Sequence, residues 1–103
     1  MDAVKAKIRD IPDFPKPGII FKDLTPVLAD AALMQQIVDG LCTPYRHEKI
    51  TAVAGMEARG FIFGSLVAQA LQVGFIPLRK PGKLPAATHS ASYELEYGQA
   101  TLE

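Results

Sequence analysis

The chain has 103 residues, 49% hydrophobic and 21% charged, with a mass of 11.1 kDa and a mean hydropathy of +0.13, which describes one soluble globular domain or part of one and excludes a disordered chain. Eleven Lys+Arg balance eleven Asp+Glu, so no basic excess points to nucleic acid or to an anionic membrane. Cys42 is the one cysteine, which excludes an intrachain disulfide framework and a cysteine-rich zinc site and fits a reducing, cytoplasmic compartment; no apolar run approaches the ~18 residues that span a bilayer, and the N-terminus carries no signal-peptide core.

Val4, Ile8 and Ile11 recur at helical spacing and predict a helix over 3–10, stopped by Pro12. Pro15, Pro17, Gly18 and Pro26 break the next stretch into a long loop, within which Ile19, Ile20 and Phe21 form a short extended segment. Asp30 reads as the N-cap of an amphipathic helix over 31–46, with Leu33, Ile37, Val38 and Leu41 on its buried face and Pro44 near its end.

Residues 50–56 form an apolar strand. A largely buried helix follows from Phe61 to Val73, with Phe61, Phe63 and Leu66 as core and Gly74 as its stop. Residues 75–78 form a second strand, in which Pro77 implies an edge or a bulge. Strand, helix and strand within about thirty residues predict a parallel βαβ unit. The basic loop RKPGKLPAATHS comes next. Alternation over 91–97 then predicts a half-buried strand, Gly98-Gln99 a turn, and 100–103 the start of another strand.

Chemistry has several candidate places. Gly55-Met-Glu-Ala-Arg-Gly60 joins a strand to a helix N-terminus, where backbone N–H groups, two glycines and Arg59 suit a phosphate or pyrophosphate. It is not a Walker A loop, since Phe61-Ile62 stands where Lys-Ser/Thr is required. An ordinary tight turn with a solvated arginine fits the spacing as well. Arg79, Lys80 and Lys83 follow the next strand and would converge on the same anion, or simply line a solvated loop. Glu94 and Glu96 share one strand face and offer a general base, or a polar surface. Phe21 could stack on a flat ligand or anchor its loop. His47 and His89, 42 residues apart, make no metal motif.

In chain order, DFPKPGIIFKDLTPVL, GMEARGFIFG, PLRKPGKLP and SYELEYG resemble adenine phosphoribosyltransferases, from about Ile8 to the last residue. The resemblance implies an α/β fold: a parallel-sheet type I phosphoribosyltransferase core with a small N-terminal hood. Residues 1–30 would be the N-terminal helix and hood, and 31–103 the first part of the core. The family activity is transfer of ribose 5-phosphate from phosphoribosyl pyrophosphate (PRPP) to N9 of adenine, giving AMP and pyrophosphate in purine salvage. Mg²⁺ would accompany PRPP, the enzyme would be a cytoplasmic homodimer, and neither nucleic acid nor a membrane would be a partner.

Position by position, the resemblance places Ile20, Phe21 and Lys22 at the adenine. Many relatives have Arg where this chain has Lys22, a conservative change only if the contact runs through the backbone. It places Arg59 at pyrophosphate, beside an expected cis Glu57–Ala58 peptide that would aim N–H groups at that anion. Arg79, Lys80 and Lys83 would be PRPP contacts. Glu96 would be the acid/base group, with Tyr97 beside it at the end of a flexible loop. The family's 5′-phosphate loop, two acidic residues followed by Thr-Gly-Gly-Thr, does not occur in these residues, so the core is incomplete here and the 103 residues alone are expected to be inactive. Two alternatives stay open: a non-catalytic fragment or interaction module that binds purine or a full-length subunit, and a relative that uses hypoxanthine or xanthine.

Overall fold

Val4 and Ile8 do start a helix, but α1 runs only from Asp2 to Lys7. Ile8 is already extended, at φ −69° and ψ 130°. Arg9–Ile11 forms β1, antiparallel to β2 at Phe21–Asp23, with Arg9 opposite Asp23 and Asp10 opposite Lys22. The helical period over 4, 8 and 11 loses to this pairing because both facing positions carry opposite charges. Arg9 Nε donates to Asp23 Oδ2 at 3.0 Å, and Lys22 Nζ to Asp10 Oδ1 at 2.7 Å. The extended segment expected over 19–21 therefore lies two residues further on. The loop between β1 and β2 is tied internally: Phe14 N–H donates to Ile19 O at 3.1 Å, and Gly18 N–H to Asp13 Oδ1 at 2.9 Å. Gly18, at φ +87°, takes a conformation that side chains disfavour.

The computed structural model describes residues 1–95 and 98–103, and they fall into two compact units, Met1–Tyr45 and Arg46–Glu103. In the first, α2 (Thr25–Leu28) is followed by α3 (Ala31–Cys42). Asp30 caps α3 as expected, accepting from Leu33 N–H at 3.1 Å. The helix stops four residues short of the expected Arg46. A single 3-10 turn over Thr43–Tyr45 contains Pro44, which lacks the N–H a further turn requires. Val4, Val27 and Leu33 form the core, with Ile8, Met34 and Ile37 packed on it. Leu33 and Val38 are buried as expected, but Leu41, expected on the same face, is 45% exposed, and Cys42 is buried in addition.

In the second unit β3 (Ala52–Met56), α4 (Arg59–Leu71) and β4 (Gly74–Leu78) make the expected unit, with β3 and β4 parallel and Ala52 opposite Gly74. Among the described residues each strand pairs with the other alone, and Pro77 sits opposite Gly55. Helix α4 is less buried than expected. Its buried residues are Gly64 and Ala68, four apart, whereas Ile62 and Leu66 are exposed. A two-stranded sheet offers one narrow face, and the small residues are the ones that approach it. A Cβ on Gly64 would lie 2.5 Å from Phe75 Cε1, and Phe61 meets Phe75 edge-on at 5.8 Å. The helix ends at Gln72 in the left-handed conformation, not at Gly74, which opens β4. β5 (Ala91–Leu95) and β6 (Gly98–Leu102) are antiparallel, so Gly98 and Gln99, expected in a turn, belong to a strand.

Candidate active site

The turn from β3 to α4 is short and tight. A Cβ on Gly55 would run into the Gly60 carbonyl oxygen and come within 2.9 Å of the Phe75 ring. Only glycine lets the chain pass there, which brings the end of β3 against the first turn of α4. The Glu57–Ala58 peptide is cis, as the motif implied. Arg59, exposed, is the first residue of α4. The N–H groups of a helix's first turn have no partner within the helix and carry the positive end of its dipole.

The basic segment after β4 lies against this turn. Glu57 N–H donates to Leu78 O at 3.0 Å. The Glu57 carboxylate accepts from Lys80 N–H at 2.7 Å and from Arg79 Nε at 3.3 Å. Its side chain is 16% exposed. The Lys80 N–H and the charge and N–H of Arg79 hold the Glu57 carboxyl below the usual carboxylate range, against the opposing effect of partial burial. The Arg79 guanidinium carbon also stands 5.7 Å from the centre of the Phe61 ring. On its other side the segment is fastened to the residue after β6. Arg79 and Glu103 exchange two backbone hydrogen bonds of 2.8 Å, and Gly82 N–H donates to Glu103 Oε1 at 2.7 Å. Lys80 and Lys83 are exposed. Turn and segment thus join Arg59, Arg79, Lys80 and Lys83 to a helix N-terminus in one unit. Such a set of donors can hold a phosphate or pyrophosphate. Sequence reasoning found those four residues and missed the bridging roles of Glu57 and Glu103, whose partners lie more than twenty residues away in the chain.

The other expected residues are placed as follows. Ile20 is 62% exposed. Phe21 is half-buried and meets Phe14 edge-on at 5.1 Å. Lys22 has its ammonium on Asp10. All three belong to the first unit. Glu96 and Tyr97, and the side chain of Glu94, lie outside the described residues. Among the described residues no group of three His, Cys, Asp or Glu could hold a metal, and no helix is long and apolar enough to cross a membrane.

No protein-family model matches the chain. Solved structures do, and they are phosphoribosyltransferases of the same α/β fold. One from Thermoanaerobacter pseudethanolicus is 52% identical, with a TM-score of 0.91 over 98% of this chain and 59% of that one. One from Giardia lamblia, complexed with 9-deazaadenine, is 41% identical, with a TM-score of 0.93 over 98% of this chain and 56% of that one. Over its whole length this chain is homologous to the N-terminal portion of adenine phosphoribosyltransferases. The Methylococcus capsulatus adenine phosphoribosyltransferase is 62% identical over 103 residues, all of this chain and 60% of that protein. The chain therefore spans about 60% of the length of the curated relatives it matches.

Proposed function

We propose that the protein carrying this chain is an adenine phosphoribosyltransferase of purine salvage, making AMP and pyrophosphate from adenine and PRPP. The observation that carries this reading is the continuous homology to adenine phosphoribosyltransferases, which runs through the cation-bearing turn at Glu57–Arg59 and the segment Arg79–Lys83. Pyrophosphate of PRPP lies at that turn, with Arg59, Arg79, Lys80 and Lys83 around it. Adenine stacks on Phe21, beside Ile20 and the backbone of Lys22; the engagement of the Lys22 ammonium by Asp10 favours a backbone role for that residue. Mg²⁺ would accompany PRPP as part of the substrate and would help neutralise the charge of the departing pyrophosphate.

In the reaction the C1–oxygen bond of PRPP breaks as N9 of adenine bonds to the same carbon. The leaving pyrophosphate gains negative charge, and preorganised cations stabilise it. By the family resemblance Glu96 takes the N9 proton, with Tyr97 its neighbour in sequence. Closure of the basic loop that follows β4 excludes water, whose attack on PRPP is the competing reaction. The enzyme works as a cytoplasmic homodimer. The test is AMP formation by the full-length protein from labelled adenine, PRPP and Mg²⁺. The expected result is AMP and pyrophosphate in equal amounts, with hypoxanthine and xanthine failing to compete. Absence of AMP, or preference for a 6-oxopurine, overturns the reading. The same assay on the 103 residues alone is expected to give no AMP.

A further inference from the structure

Glu57 is out of place by charge. An anion site gains nothing electrostatically from a carboxylate at its edge, and an uncompensated one would repel the ligand. Yet Glu57 holds both elements of the site together. Its N–H is on Leu78 O, and its carboxylate takes the Lys80 N–H at 2.7 Å and Arg79 Nε at 3.3 Å. Arg79 and Lys80 are consecutive, so one carboxylate fixes both the backbone and a guanidinium of the segment that bears the cations. Among the described residues the other contact of that guanidinium is the Phe61 ring, which is non-directional by comparison with a hydrogen bond. We propose that Glu57 is a positioning residue for the anion site: it sets the Arg79–Lys80 turn in the geometry that receives pyrophosphate, and the gain in preorganisation outweighs the repulsion that its charge adds. This rests on the pyrophosphate reading above.

The two effects have opposite signs, which makes the inference testable. If charge alone mattered, removing Glu57 would tighten pyrophosphate binding. If positioning dominates, removal weakens it. Titration calorimetry of the full-length protein with inorganic pyrophosphate separates the two, the fitted stoichiometry reporting any fraction that fails to fold. Glu57→Ala loses both contacts and is expected to weaken binding about tenfold, as loss of a charge-assisted contact does. Glu57→Gln keeps an acceptor for Lys80 N–H but not the charge opposite Arg79, and is expected to weaken binding about threefold. Wild-type or tighter affinity in a folded variant overturns the proposal; should Glu57→Ala not fold, the direction of the change in Glu57→Gln decides alone. Wild-type protein that does not bind pyrophosphate removes the anion-site reading along with this one, whereas binding that Glu57 variants leave unweakened removes this one only.

Discussion

Asp23 in the first unit and Glu57 in the second are built from the same parts. Each carboxylate accepts a backbone N–H and an arginine donor. They differ in what else surrounds them. Asp23 spends both oxygens inside its own scaffold: one on Arg9, the other on the N–H and hydroxyl of Thr25, at 2.9 and 2.8 Å. Those partners bind it to the opposite strand and to the start of α2, beside the core of Val4, Val27 and Leu33. Glu57 instead grips a segment whose ammonium groups, Lys80 and Lys83, face solvent. One carboxylate closes a structure on itself; the other orders a segment whose two lysines are exposed. The lesson is that an ion pair reads as structural or functional from its neighbours, not from its own geometry.

The strongest way to break the contrast is through the backbone that sets Glu57 in place. Gly55→Ala drives a Cβ into the Gly60 carbonyl and the Phe75 ring. It is expected to cost about 3 kcal/mol in denaturant unfolding, with pyrophosphate binding lost as well. The next effect concerns the closed pair. The Thr25 N–H, then Arg9, hold Asp23 down to about 2 from the ordinary 3.8. A depressed carboxyl contributes stability above its unfolded pKa, which is lost as pH falls toward the folded one. Between about pH 4 and pH 2 the wild-type melting temperature should therefore fall more steeply than that of Asp23→Asn, and parallel curves would show that the lock contributes nothing. Asp30→Ala removes the α3 cap and is expected to cost about 1 kcal/mol without altering pyrophosphate affinity. The smallest change in stability belongs to the open side: Lys83→Ala should stay within about 0.5 kcal/mol of wild type. Its pyrophosphate affinity should nevertheless fall about threefold at low salt, with the difference shrinking as salt is added.

Much of this was legible residue by residue. Asp30 announced α3, and the apolar runs around a glycine-bearing turn announced the parallel β3–α4–β4 unit. Arg59, Arg79, Lys80 and Lys83 could be named because strand ends in parallel sheets are where ligands bind. What escaped was non-local. Arg9 and Asp23 are fourteen residues apart, and only their pairing explains why a helical period gives way to β1. Gln72 ends α4 in a left-handed turn although a glycine stands two residues on; propensity names the commonest stop, while the register of β4 claims Gly74. The exposure of Leu66 also escaped, because an apolar residue at helical spacing reads as core by periodicity alone. The bridging role of Glu57 was hidden for the same reason as the Arg9–Asp23 pair, since its partners are twenty-two and twenty-three residues away.

The two-way backbone bond between Arg79 and Glu103 also has a topological consequence. Everything between those residues departs from one point and returns to it, like a rope tied at both ends to a single post. A closed segment of this kind tolerates changes in length well: each doubling adds only about 0.6 kcal/mol of closure entropy. The stretch from Leu84 to Ser90, which carries no regular secondary structure, is thus a place where evolution or a protein engineer can splice in residues while both knots hold.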